Sequence, residues 1–239
     1  RKNPPMLVKT FRRSPLAGSG IMVNGVLFGA SWSLIPRYGQ QVGMVEAQIG
    51  VLMLLVSLGT LAFQWPLGWI SDRHDRRKAI LLSSIVGFTA ALLIAATRAS
   101  GGMLFPLVLV FGGFSMPLYS LSIAMMNDQL DRDEMVTAAG AIIVYYGIGS
   151  AAGPLIGGLF MSRLGPPGLF YAMALVLALL IGFALLRVRI TPKPKVRKSG
   201  YRIYPRTSAA AFALLRKVKR PKAQRPGQQH TPNNIDRAR

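Results

Sequence analysis

The sequence predicts an all-α integral membrane protein, and three observations carry that prediction. Of the 239 residues 51% are hydrophobic and 15% are charged, against about 25% charged in an ordinary soluble domain. The apolar residues gather into six runs long enough to cross a hydrocarbon core about 30 Å thick, which takes roughly 20 residues of helix. The charges fall between and beyond those runs, as in GWISDRHDRRK at 68–78. Lipid offers the backbone no hydrogen-bond partners, so such runs must be helices.

In chain order the spans are placed at 14–36, 47–70, 79–97, 103–126, 135–161 and 167–187. The first ends at Pro36-Arg37, where proline disfavours helix in the residue before it. The second is closed by the charged stretch quoted above, the third by Thr97-Arg98, and the fifth by Gly165-Pro166-Pro167. The loop NDQLDRDEM separates the fourth span from the fifth. Short connections make successive helices antiparallel, and an even number of crossings returns the chain to its starting side.

That side is read from the charges. Of 29 Lys and Arg, 5 lie in residues 1–13, 4 from Arg73 to Lys78, 1 at Arg132 and 16 from Arg187 onward, all on one face. The opposite face holds Arg37, Arg98 and Arg163. With the tail discounted the ratio is 10 to 3, which the positive-inside rule assigns to a cytoplasmic face carrying both termini, in an inner membrane. The net charge of +21 is therefore a matter of topology and points away from nucleic acid. Residues 1–13 read as a basic lead-in or linker and residues 188–239 as a basic, Pro-rich, disordered tail. Within that tail SAAAFALLRKVKR fits a helix lying on anionic lipid. The chain opens at Arg1 without a leader pattern, which reads as a piece of a longer protein.

The residue inventory excludes several chemistries. Without cysteine there is no disulfide or thiolate site, and His74 and His230 are too few for an imidazole cluster. No nucleophile–base pair stands near a helix end, so neither an enzyme nor a metal or cofactor is expected. Asp128, Asp131, Asp133 and Glu134 lack the glycine and ligand spacing of a calcium loop. Asp131 with Glu134 fits a helix-start cap instead.

Two motifs carry a resemblance. Gly68, Ile70, Asp72, Arg73, Arg76, Arg77 and Lys78 stand at the end of the second helix in the order of the loop signature G-x-L-x-D-R-x-G-R-[RK] of the major facilitator superfamily. Asp75 replaces its second glycine. The fifth helix reads YYGIGSAAGPLIGG and resembles the same family's G-x-x-x-G-P-x-x-G-G pattern, with Gly149, Gly153, Pro154, Gly157 and Gly158 in place. Glycines four apart make a groove for close helix crossing, and Pro154 permits a bend. The run FSMPLYSLSIAMMND resembles the tenth helix of a bacterial branch, the YcaD-like permeases.

The resemblance covers residues 14–187 and implies one six-helix repeat of a normally 12-helix transporter, here the C-terminal one. Its partner would be a missing N-terminal six-helix half, and its activity the movement of a small solute by alternating access. The loop would be a conformational latch, with Gly68 admitting a neighbouring backbone and Asp72 gripping the other half. A six-helix scaffold that moves nothing is the competing class.

No charged residue lies mid-span. Asn24, Phe28 and Ser31 share one face of the first helix, and Ser115, Tyr119 and Ser122 one face of the fourth. By family analogy both faces, with Gln64 and Tyr145 or Tyr146, line the pathway, while the third and sixth helices face lipid. Trp65 and Trp69 read as interfacial anchors.

Overall fold

The computed structural model describes residues 6–97, 101–130 and 132–190. Eight α-helices account for most of these: α1 (Met6–Arg13), α2 (Pro15–Gln41), α3 (Glu46–Arg73), α4 (Arg76–Thr97), α5 (Leu104–Ser115), α6 (Leu118–Asn127), α7 (Arg132–Leu164) and α8 (Gly168–Ile190). Six spans are long and apolar enough to cross a membrane, with α5 and α6 together making the fourth. The tail from 191 onward, with its expected lipid-surface helix, lies outside the described residues, as does Asp131.

Three boundaries differ from expectation for physical reasons. Helix α2 runs through Pro36 to Gln41. A proline costs a helix one hydrogen bond, yet leaving helix inside lipid would cost several, so the chain continues. It stops where Gly43 takes φ +79°. There Gly43 N–H donates to Gln40 O at 3.1 Å and Met44 N–H to Gly39 O at 2.9 Å, the paired bonds of a glycine-terminated helix end.

The fourth span, expected to be continuous, is broken at Met116–Pro117 into α5 and α6. Tyr119 N–H turns back to Met116 O at 3.4 Å, so the helical register slips at this point.

The lead-in, read as a linker, contains α1, and this helix is docked. Glu134 at the start of α7 pairs with Lys9 at 2.9 Å and Arg13 at 3.4 Å. Tyr145 of α7 donates its hydroxyl to Leu7 O and packs edge-on against Phe11 with centroids 6.0 Å apart.

Helix α2 lies at the centre, against α7, α6, α8 and α3, while α3 packs on α5 and α4 lies against α5 and α8. Lipid removes the hydrophobic drive between helices, so close approach and dispersion must hold them together. The glycines meet that need at the α2–α7 crossing. A Cβ on Gly149 would sit 2.1 Å from Met22 O, one on Gly153 2.3 Å from Val26 O, and one on Gly25 2.4 Å from Tyr146 O. Gly157 extends the seam against Leu34 and Leu169. Gly158, expected to belong to it, has open space where a side chain would be, because it is one residue round the helix from Gly157. A second seam, α3 on α5, is built on Gly59, Gly112 and Gly113, where a Cβ on Gly59 would lie 2.1 Å from Leu109 O.

Candidate functional site

A groove of about 560 Å³ opens between α2, α3, α6 and α7, lined by Asn24, Phe28, Trp32, Val56, Ser57, Thr60, Leu61, Gln64, Met116, Tyr119 and Tyr146. Four aromatic rings run across it in sequence. Trp32 lies 5.7 Å from Phe28, Phe28 5.8 Å from Tyr146, and Tyr146 5.2 Å from Tyr119, all tilted or edge-on. Such geometry matches the ring quadrupoles. The described lining carries neutral hydrogen-bond groups and no Asp, Glu, Lys or Arg.

Asn24 sits at the inner end of the groove, 3% exposed. Its Nδ2 donates to Ser115 O at 3.1 Å and Met116 O at 2.9 Å. These are carbonyls at the α5–α6 break, where Pro117 offers no N–H. The side chain thus pins the discontinuity while lining the cavity. On the opposite wall Thr60 Oγ1 donates to Val56 O at 2.8 Å and Gly112 O at 3.3 Å.

The charged stretch folds into a compact turn between α3 and α4. Arg76 bonds Asp72 at 3.0 Å, Ser71 Oγ at 3.3 Å, and Asp128 at the end of α6. Asp75 accepts from Arg77 N–H at 3.1 Å through Oδ1, and its backbone carbonyl accepts from Lys78 N–H at 2.8 Å. It is therefore the N-cap of α4, a role glycine has no side chain to perform. The guanidinium of Arg73 lies 4.1 Å over the Trp69 ring, a cation–π contact. Asp72 remains 69% exposed beside Arg76, and a Cβ on Gly68 would meet nothing within 4 Å. The neighbouring backbone expected against Gly68 is absent among the described residues.

Six spanning helices, a charged turn between the second and third, and a glycine seam in the fifth agree with the family comparison, in which the Major Facilitator Superfamily model matches residues 17–224. The chain belongs to the Major Facilitator Superfamily. Among its relatives an uncharacterized MFS-type transporter of Yersinia pestis (strain Pestoides F) is 33% identical over 177 residues, 72% of this chain and 45% of that protein. Another from Yersinia enterocolitica is 32% identical over 198 residues, 82% and 48% of the two chains. The uncharacterized MFS-type transporter YcaD of Salmonella typhi is 27% identical over 184 residues, 77% and 47%. The crystal structure of the POT family transporter PepTSo superposes with a TM-score of 0.64 at 16% identity, covering 87% of this chain and 46% of that one. This last likeness establishes the fold. The chain spans about half the length of the relatives it matches.

For this superfamily member the groove is lined by Asn24, Phe28 and Tyr119 of the two helix faces, and by Gln64 and Tyr146 of the positions named by family analogy. It leaves out four other candidates. Ser31, Ser115 and Ser122 are buried at 1% exposure or less, and none of them lines the groove. Ser122 instead fills the space above Gly20, and Ser115 that above Gly87. Tyr145 points to α1, as described above. Conversely Trp32, Ser57 and Thr60 were not anticipated. Trp32 stands four residues beyond Phe28 and Thr60 four before Gln64, so the same offset of four would have found both. Trp65 and Trp69 stay outside the groove, 77% and 46% exposed.

Proposed function

We propose that this chain is one six-helix half of a secondary transporter, and that a small solute crosses by alternating access along the aromatic groove. The observation that carries the reading is the groove itself. It lies between helices from opposite ends of the half, while the chain spans 45% to 48% of its relatives. A missing N-terminal half would complete its enclosure. The apolar faces it would cover include Leu61 at 74%, Ile143 at 68% and Leu155 at 75% exposure. On this half the solute is met by aromatic rings and by the neutral groups of Asn24, Thr60, Gln64 and the two tyrosines, so any ion coupling resides in the other half. Both termini and the 68–78 turn are assigned to the cytoplasm on the 10 to 3 charge ratio.

The test is thiol labelling of Thr60→Cys in the full-length protein, with any cysteine outside this cysteine-free chain replaced by serine, in intact cells and in inverted vesicles. Labelling from both sides, with the two rates shifting in opposite directions in Asp72→Asn, is expected. Labelling from one side alone in both proteins is the result that overturns the proposal. His74→Cys and Met103→Cys, both at exposed positions, report the orientation in the same experiment.

A further inference from the structure

The polar groups of the groove are unevenly committed. Asn24 has two N–H donors, and both are spent, on Ser115 O at 3.1 Å and Met116 O at 2.9 Å. Turning the amide over would lose both bonds and set its oxygen against two carbonyl oxygens, so its orientation is fixed. What Asn24 keeps for the groove it lines is Oδ1, which accepts no hydrogen bond among the described residues and is not sealed by packing.

Across the groove on α3, two hydroxyls are in the same condition. Each has a single hydrogen. Thr60 Oγ1 directs its hydrogen to Val56 O at 2.8 Å and Gly112 O at 3.3 Å, and Ser57 Oγ directs its own to Met53 O at 3.1 Å. These are bonds back to the carbonyl four residues earlier, and they leave both oxygens to the groove as acceptors. Gly112, Ser115 and Met116 stand at the end of α5, so Asn24 and Thr60 are anchored to one helix end from two sides. Of the other polar groups in the lining, Gln64, Tyr119 and Tyr146 can donate or accept and so follow the solute, while Trp32 can only donate.

We propose, resting on the reading of this groove as the transport path, that the solute is an uncharged, mainly apolar organic molecule carrying hydroxyl or N–H donors. It presents them to Asn24 Oδ1, Thr60 Oγ1 and Ser57 Oγ. Oxygens with no hydrogen left to give are matched by donors, and a solute bearing acceptors alone sets lone pair against lone pair. A hydroxyl or an amide also has the acceptor that Trp32 can use. Because no Asp, Glu, Lys or Arg lines the groove on this half, a solute with a net charge would exchange its hydration for neutral groups here, at a high cost. The volume of about 560 Å³ falls within the roughly 300–1,000 Å³ of pockets that hold small organic ligands.

The experiment uses the full-length protein in detergent, with any cysteine outside this chain replaced by serine. Leu61→Cys is the reporter, since Leu61 lines the groove and supplies none of the three oxygens. Protection of that cysteine from a thiol reagent is titrated with indole, whose polar group is an N–H donor. Benzofuran has the same outline with an acceptor oxygen, N-methylindole has the donor blocked, and tryptamine and indoleacetate keep the donor and add a charge of either sign. Indole should protect at about one tenth of the concentration that benzofuran or N-methylindole requires, and at a lower concentration than either charged analogue. Met103→Cys, outside the groove, should be protected by none of them. Ser57→Ala with Thr60→Val, which leaves Asn24 and its bonds in place, should reduce the preference for indole over benzofuran to about threefold. Equal protection by indole, benzofuran and N-methylindole overturns the proposal. So do stronger protection by a charged analogue, no protection by any of the five, and an indole preference unchanged in the double variant. Two-sided labelling of Thr60→Cys without an indole preference removes this inference and leaves transport standing, whereas an indole preference with one-sided labelling leaves a donor-selective site and removes transport.

Discussion

Replacing Asn24 by leucine separates two roles that coincide at one residue. The side chain lines the groove, yet its Nδ2 supplies both bonds to Ser115 O and Met116 O at the α5–α6 break. Leucine keeps the branched outline of the side chain but has no donor, so two carbonyls at the break lose their partner. Interhelical bonds within membranes average about 0.6 kcal/mol and reach about 1.7, whereas stranding a buried acceptor costs about 1–3 kcal/mol. Because Asn24 is 3% exposed, water cannot easily replace it, and a loss of about 2–4 kcal/mol is expected for the pair. That is a large part of a typical folding stability of about 5–15 kcal/mol. The assay is thermal unfolding of the detergent-purified full-length protein, alongside uptake normalised to folded protein at the membrane. A clear fall in melting temperature with reduced transport is expected. Unchanged melting with transport abolished would refute the pinning role and make Asn24 a solute contact alone.

The other predictions follow from equally local geometry. Gly149→Val should prevent assembly or strongly reduce the folded fraction in size-exclusion chromatography, since even its Cβ would lie 2.1 Å from Met22 O, while Gly158→Val, facing open space, should behave as the parent. Asp75→Ala removes the α4 cap and should cost about 1 kcal/mol by chemical denaturation, with Asp75→Asn retaining most of it; equal stability in all three would show that the cap contributes nothing. Trp32→Ala and Tyr119→Leu, at the two ends of the ring series, should each raise the half-saturating solute concentration while membrane expression is preserved. Tyr145→Phe should leave solute affinity unchanged and instead speed proteolysis of α1, because its hydroxyl is bonded to Leu7 O.

Much of the architecture is local and therefore readable along the chain. Lipid demands long apolar helices and excludes charge from them, so the six spans, the turn at 68–78 and the uneven charge distribution follow from the order of residues alone. The glycine seam was legible for a related reason: Gly149, Gly153 and Gly157 lie on one helical face whatever they meet. What they meet, Met22, Val26 and Leu34 of α2, was decided only in three dimensions. The same holds for the groove. Periodicity placed Ser31 beside Asn24 and Phe28, and Ser122 beside Tyr119, but a face of a helix is about 100° wide. Small rotations within it turn serine into the α2–α6 interface and leave Trp32 facing the cavity. Proline gave opposite outcomes that no local rule separates. Helix α2 continues through Pro36, whereas the fourth span breaks at Pro117, where Asn24 of another helix stands ready to bond the carbonyls at the break. Asp75, a departure from the superfamily's loop pattern, is accounted for only once α4 is seen to begin at Arg76 and need a cap. The sequence by itself determined where helices and charges lie, because those depend on each residue's own transfer from water to lipid. Tertiary structure decided which polar groups face the groove and which are consumed in holding it together, because hydrogen bonds and close crossings exist only between elements distant in the chain.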